Sequence, residues 1–254
     1  MTGLMAALLP PEIGAGVLVL LLAASFLSSF ITVAFGIGGG AALLAVMATL
    51  IPAAALIPVH GVVQTGSNLG RALITFGHVY WAAIPAFVLG SALGAGMGGL
   101  LVVGIPPAIV QIGVGGFIIW SVLGRPPRGV RDWPVAVGAI SSFLTMFFGA
   151  TGPFVATYTK SLALGRHAHV ATHATLMSVQ HGVKTLTFGL LGFAFAGWLP
   201  FVAAMIALGF AGTVAGRLLL NRMDDRRFRL ALDVVLLLLA VRLIGGGLAQ
   251  LWPG

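Results

Sequence analysis

The chain lacks cysteine and is poor in charge. None of its 254 residues is cysteine, 5 are acidic and 13 are lysine or arginine, so that charged residues make up only 7% of the sequence. A soluble domain carries about 25% charged residues, and this composition therefore cannot cover a water-facing surface. The absence of cysteine also excludes disulfides, thiolate metal sites and cysteine nucleophiles.

Charge is absent altogether from two long stretches, residues 13–70 and 72–124. A membrane-spanning helix needs about 20 apolar residues, so each stretch has room for two or three spans. The apolar runs do not alternate with polar residues as the strands of a membrane β-barrel do. The sequence therefore predicts an all-α polytopic membrane protein in the lipid bilayer, with no extramembrane domain.

Proline, glycine and charge divide the chain into ten apolar segments. They lie near 13–35, 39–57, 59–77, 80–103 and 106–124, and then near 134–150, 152–164, 168–191, 196–220 and 229–249. A basic linker, 125–133, separates a first transmembrane repeat (1–124) from a second (134–254). Segments 39–57 and 152–164 are weak or short, and we expect them to be half helices or re-entrant segments.

The two halves are related in sequence. Residues 28–40 align with 141–153, and seven of the thirteen aligned positions are identical. At the same offset His60 falls on His173 and Arg71 falls on Lys184. Two apolar helices often share weak similarity by composition alone, but polar residues that match at a constant offset are not explained in that way. The sequence therefore indicates an internal duplication.

The positions of the basic residues predict how the two copies are oriented. Arginines are concentrated in the linker and in a loop near 217–229, which places both loops in the cytoplasm by the positive-inside rule. The loop near 104–107, the counterpart of the second one, has no charge and is predicted outside. Equivalent loops on opposite sides predict two inverted-topology repeats, an architecture typical of secondary transporters. Lys160 and Arg166 then lie inside, and both termini lie outside.

Glycine interrupts the duplicated motif in both copies. Gly38, Gly39 and Gly40 follow a long apolar run, and each glycine costs a helix about 1 kcal/mol relative to alanine. In the second copy the break falls at Thr151 and Gly152, where Thr151 is a candidate helix cap and Pro153 suits the first helical turn. A helix that restarts inside the membrane presents free N–H groups, which favour an anion. The alternative is that the glycines only permit close helix packing.

Arg71 and Lys184 are the most informative charged pair. Each lies within an apolar segment, where a cation is costly and usually has a partner. Of the five acidic residues, only Asp233 lies within an apolar segment; the others are Glu12, Asp132, Asp224 and Asp225. At least one cation then lacks a protein counter-ion, and a bound anion is the natural substitute. Snorkelling of both side chains to the membrane surface is the alternative.

Polar side chains surround both cations in the sequence. Gln64, Asn68 and Arg71 share one face of a helix, as His181 and Lys184 do with Met177 in the second copy. We therefore expect Gln64, Asn68 and His181 to bind the anion with Arg71 and Lys184. His60, His173 and Asp233 are weaker candidates for proton coupling. The histidines at 167, 169, 173 and 181 have no carboxylate or thiolate beside them, so we expect neither a metal site nor a cofactor.

Two other classes of protein are disfavoured. The chain has no Gly-x-Ser-x-Gly elbow, no pair of intramembrane aspartates and no His-Glu-x-x-His motif, so we expect no enzyme activity. Its formal net charge of +8 comes from arginines in short loops between spans, so nucleic acid is not an expected partner.

These features resemble a known family. The Gly-x-Gly-Gly-Gly element at 36–40, the His60-to-Arg71 segment and Trp81, with the repeated copy at 138–189, resemble the sulfite exporter TauE/SafE family of membrane permeases. The likeness spans both halves. One departure is that Ala41 and Ala42 follow the first glycine cluster, where proline is often expected. The resemblance implies transport of sulfite, taurine-like sulfonates, sulfoacetate or related anions across the cytoplasmic membrane.

We therefore expect a multi-pass protein of the cytoplasmic (inner) membrane that acts as a secondary transporter. Its partner would be a small sulfur oxyanion or organosulfonate, moved by export with proton coupling. Two alternatives stay open, namely a passive anion channel and a non-transporting scaffold subunit. Exposed glycine and alanine faces are compatible with a homodimer, and equally with packing inside one chain.

Overall fold

The structure is a computed structural model that describes residue 10 and residues 13–35, 38–102, 104–124, 129–149, 151–219 and 225–252. Within these ranges it contains ten α-helices, three short 3-10 helices and no strand. The α-helices are α1 (Ala15–Phe35), α2 (Gly39–Leu50), α3 (Ala53–Ile74), α4 (Ile84–Val102), α5 (Pro107–Leu123), α6 (Pro134–Phe148), α7 (Gly152–Ser161), α8 (Arg166–Leu190), α9 (Leu199–Leu219) and α10 (Asp225–Leu251).

Four helical stretches are long and apolar enough to cross a membrane. They are Ala15–Val33, Trp81–Val102, Phe195–Leu218 and Asp233–Leu251. Helices α2, α5 and α6 are also apolar but shorter. The all-helical architecture and these spans agree with the predicted class of polytopic membrane protein.

Helices α2 and α7 are the short elements expected from the sequence. They have 12 and 10 residues, which at 1.5 Å per residue gives lengths of about 18 and 15 Å. The hydrocarbon core of a bilayer is about 30 Å thick. Each of these helices therefore covers only about half of that thickness.

One predicted boundary is wrong. The sequence suggested a segment over 39–57 that ends before Pro58, but α2 ends at Leu50 and α3 begins at Ala53. Pro52 occupies the N-cap of α3, while Pro58 lies inside that helix. Pro58 lies past the first turn, where a proline removes one backbone hydrogen bond and crowds the carbonyl of the preceding turn, but α3 continues through it to Ile74.

Helices from the two halves of the chain pack on one another in pairs. Helix α3 lies along α8, α5 along α10, α1 along α9, and α4 along α6. Helix α4 also contacts α8, and α9 contacts α3. Among the described residues, the central pair, α3 and α8, carries all of the buried histidine, glutamine, asparagine, arginine and lysine side chains.

Glycine brings two of these helix pairs into backbone contact. On α4, a side chain at Gly94 would overlap the carbonyl oxygen of Ala139 on α6. On α9, a side chain at Gly212 would overlap the carbonyl oxygen of Phe26 on α1. Small residues allow this close approach in membranes, where van der Waals packing drives helix association. Part of the glycine content is thus explained by packing.

Candidate functional site

The two short helices begin at the same polar cavity. Its volume is about 50 Å³, and its lining includes Gly38 and Gly40 at the start of α2, with Gly152 and Pro153 at the start of α7. A water molecule needs about 10–15 Å³ in such a measure, so the cavity has room for a small polyatomic ion. The remaining lining residues come from α1, α2, α3 and α8: Thr32, Ala41, His60, Gln64, Asn68, His173, Met177 and His181.

Each break in the chain has its own local cause. Gly38, the N-cap of α2, has a backbone φ of 102°. Residues other than glycine rarely adopt this value. Pro153 lies in the first turn of α7, as expected. Thr151 is the N-cap residue of α7, as predicted, but its side chain makes no capping hydrogen bond. Its hydroxyl instead accepts a hydrogen bond from Gln180 Nε2 on α8.

A row of hydrogen-bonded side chains follows one face of α3. His60 Nε2 lies 3.1 Å from the carbonyl oxygen of Gly40 and 3.3 Å from Gln64 Nε2. Asn68 Nδ2 donates to Gln64 Oε1 at 3.3 Å, and Arg71 Nη1 donates to Asn68 Oδ1 at 3.1 Å. The helical spacing thus brings Gln64, Asn68 and Arg71 together as the sequence indicated.

The facing side chains on α8 are as deeply buried. His181 is 1% exposed and its ring meets that of His60 edge-on, with 5.9 Å between the ring centroids. Lys184 is 0% exposed, and its Nζ donates a hydrogen bond to the carbonyl oxygen of Gly149 at 3.3 Å. The second half of the site is therefore built around a lysine that lies entirely within the helix bundle.

Both cations flank the cavity rather than line it. Arg71 is 6% exposed and lies close enough to His173 to interact with it electrostatically. Lys184 is close enough to His60 and His181 to do the same. In the part of the chain that the structure describes, the recorded partners of the two cations are Asn68 and the Gly149 carbonyl, and neither is a carboxylate. Both side chains are thus packed inside the helix bundle and do not extend over its outer surface.

Among the described residues, four buried nitrogen atoms in or beside the cavity have no hydrogen-bond partner. They are Nδ1 of His60, His173 and His181, together with Nε of Arg71. Arg71 Nε always carries a proton, and a buried donor without a partner is costly; a ligand with acceptor oxygens would satisfy it. Two helix N-termini, two flanking cations and this unpartnered donor fit an oxyanion.

The other predicted residues lie behind or away from the cavity. Gly39 packs on α1, where an added side chain would overlap Ser28 O and Thr32 Oγ1. Thr151 is fully buried beside Gln180. Asp233 lies on α10 and does not line the cavity.

Sequence reasoning did not select every lining residue. Thr32, Ala41, Pro153 and Met177 line the cavity, and Gln180 supports it through Thr151. A signal existed for Thr32, because it matches Thr145 within the duplicated motif. No pattern in the sequence distinguishes Gln180, whose role depends on the approach of α8 to α7.

Comparison with known proteins identifies the family. The family model for the sulfite exporter TauE/SafE matches residues 21–243. The chain belongs to the sulfite exporter TauE/SafE family. No curated protein and no solved structure matched the chain. TauE/SafE membership makes the chain a multi-pass membrane permease for sulfite-like anions.

Proposed function

We propose that this TauE/SafE chain is a secondary transporter that exports a small sulfur oxyanion or an organosulfonate across the cytoplasmic membrane. The observation that carries the proposal is the meeting of two helix N-termini, α2 and α7, at one polar cavity flanked by Arg71 and Lys184. Helix N-termini favour anions through free N–H groups and the helix dipole.

The binding site is assigned to both halves of the chain. Backbone N–H groups near Gly38–Gly40 and at Gly152 donate to the anion, and Gln64, Asn68 and His181 add hydrogen bonds from the cavity wall. Arg71 and Lys184 supply positive charge from the two flanks. His60 and His173, which also line the cavity, are proposed to couple protons, with Asp233 as the third candidate.

The proposal includes two inverted repeats, 1–124 and 134–254, joined by the basic linker 125–133. In the two repeats, helices α1 to α5 correspond in order to α6 to α10. If each helix is exchanged for its counterpart, the α1–α9 pair becomes α6–α4 and the α4–α8 pair becomes α9–α3. The exchange leaves the α3–α8 and α5–α10 pairs unchanged. This pattern of packing is what a two-fold relation between the halves produces, and it supports alternating access around a central site.

The test is uptake of sulfite and of sulfoacetate by liposomes that contain only the purified chain. We expect Lys184→Met to abolish the flux while the protein stays folded and inserted. Lys160→Met is the matched control, because Lys160 is the other lysine of the sequence and is exposed at the end of α7. Retained flux in Lys184→Met would remove Lys184 from the site.

The same liposomes distinguish the alternatives. A secondary transporter gives a flux that saturates and responds to a proton gradient, whereas a passive channel gives a flux that does neither. A scaffold subunit gives no flux in the absence of its partner.

A further inference from the structure

A second, larger cavity lies next to the polar one. Its volume is about 330 Å³, and it is lined by apolar side chains that include Ile57, Val110, Phe147 and Phe188. It reaches the surface near Leu191, which is 41% exposed. We call this cavity the apolar vestibule.

Helices α8 and α3 and the chain between α6 and α7 each have residues at both cavities, and Lys184 of α8 contacts the other two elements between the cavities. On α8, His181 lines the polar cavity, Lys184 follows one turn later, and Phe188 lines the vestibule after one more turn. After α6, Phe147 lines the vestibule, the Gly149 carbonyl binds Lys184, and Gly152 lines the polar cavity.

Helix α3 repeats this order and fixes the lysine stem. Ile57 lines the vestibule, Gln64 lines the polar cavity, and Gly61 lies between them against Lys184. A Cβ at Gly61 would come within 2.8 Å of Lys184 Cε, so the lysine occupies the space that this glycine leaves free. The stem and the ammonium of Lys184 therefore lie between the linings of the two cavities.

We propose that Lys184 is the gate between the polar cavity and the apolar vestibule. The passage is closed while the ammonium is bound to the Gly149 carbonyl, and it opens when the ammonium leaves that oxygen. The inference rests on the proposed function, in which an anion occupies the polar cavity, and it adds the step by which the anion leaves. A lysine suits this role because its long flexible stem carries three rotatable donors.

The absence of native cysteine permits a direct test by thiol labelling. Met177→Cys reports on the polar cavity and Ile105→Cys on the vestibule. A membrane-impermeant thiol reagent is applied from the side on which Ile105→Cys reacts. Met177→Cys is then compared in the parent chain and in three variants, Lys184→Ala, Gly61→Ala and Gly182→Ala.

We expect Met177→Cys to react about tenfold faster, or more, in Lys184→Ala, which removes the closing hydrogen bond, and in Gly61→Ala, whose added Cβ pushes the lysine stem away from its position. Gly61→Ala keeps the charge and only displaces the stem. Gly182→Ala is the matched control in the same helix pair, because a Cβ there lies 3.9 Å from its nearest neighbour, Thr65 Cγ2. Its labelling rate should equal that of the parent.

Equal labelling of Met177→Cys from the vestibule side in the parent, Lys184→Ala and Gly61→Ala chains would overturn the gate. An unchanged rate in a folded Gly61→Ala chain alone would also overturn it. Thiol labelling is measured without any anion, so the gate and the transport function are tested independently. If the chain moves no anion but the labelling rate still rises in the variants, the gate is supported and the proposed transport function is contradicted.

Discussion

At the scale of single residues, the site is a network of buried polar side chains that depend on one another for their hydrogen bonds. His60, Gln64, Asn68 and Arg71 are each at most 8% exposed and are linked in a row. Inside a membrane protein such a row is stable only while each member keeps its partner. Asn68 is the critical member, because it alone connects Gln64 to Arg71.

Replacement of Asn68 by alanine should therefore damage both stability and binding. The change leaves Arg71 Nη1 without its recorded acceptor, and loss of a partner in a buried site costs about 1–3 kcal/mol. We expect a lower melting temperature and anion binding about tenfold weaker or more, measured by thermal unfolding with and without anion.

Ser91→Ala is the control for that change. Ser91 is also fully buried, but its hydroxyl has no hydrogen-bond partner among the described residues, so its removal leaves no other group unsatisfied and should be neutral or stabilising. Equal melting temperatures and equal anion affinities for Asn68→Ala and the parent would contradict the role given to the network.

At the scale of helices, the sequence predicted most of what the structure contains. The ten segments, the short α2 and α7, and the shared face of Gln64, Asn68 and Arg71 follow from apolar runs, glycine breaks and helical spacing. The Lys184–Gly149 and Gln180–Thr151 contacts could not be predicted, because they depend on how close separate helices come. The boundary near Pro58 was missed because local propensity does not determine which of two nearby prolines ends a helix.

Close packing of α4 on α6 gives a test at this scale. Gly94→Ala should destabilise the protein by about 1–3 kcal/mol, because its Cβ would overlap the Ala139 backbone. Gly96→Ala, two residues along α4, meets nothing within 4 Å and should be neutral or stabilise by up to about 1 kcal/mol. Thermal unfolding in detergent compares the two. Equal melting temperatures would contradict the packing assigned to α4 and α6.

At the scale of the whole molecule, the proposed inverted repeats make a prediction about sidedness. Single cysteines introduced as Gly104→Cys and Asn221→Cys mark equivalent loops of the two halves. Asn221 lies outside the residues that the structure describes. Inverted repeats place these loops on opposite sides of the membrane, with Gly104→Cys outside and Asn221→Cys inside. Labelling of intact cells with an impermeant thiol reagent should modify only Gly104→Cys. Modification of both cysteines from one side would exclude an inverted arrangement.

The central claim is that an anion binds between the two broken helices, with charge from Arg71 and Lys184. The most direct measurement is the melting temperature of the purified protein with a panel of anions, alongside Arg71→Ala and Lys184→Ala. A ligand at 100 times its dissociation constant stabilises a protein by about 2.7 kcal/mol. We predict that sulfite or an organosulfonate raises the melting temperature of the parent chain and has no effect on either variant. No rise with any oxyanion, or an equal rise in both variants, would contradict the claim.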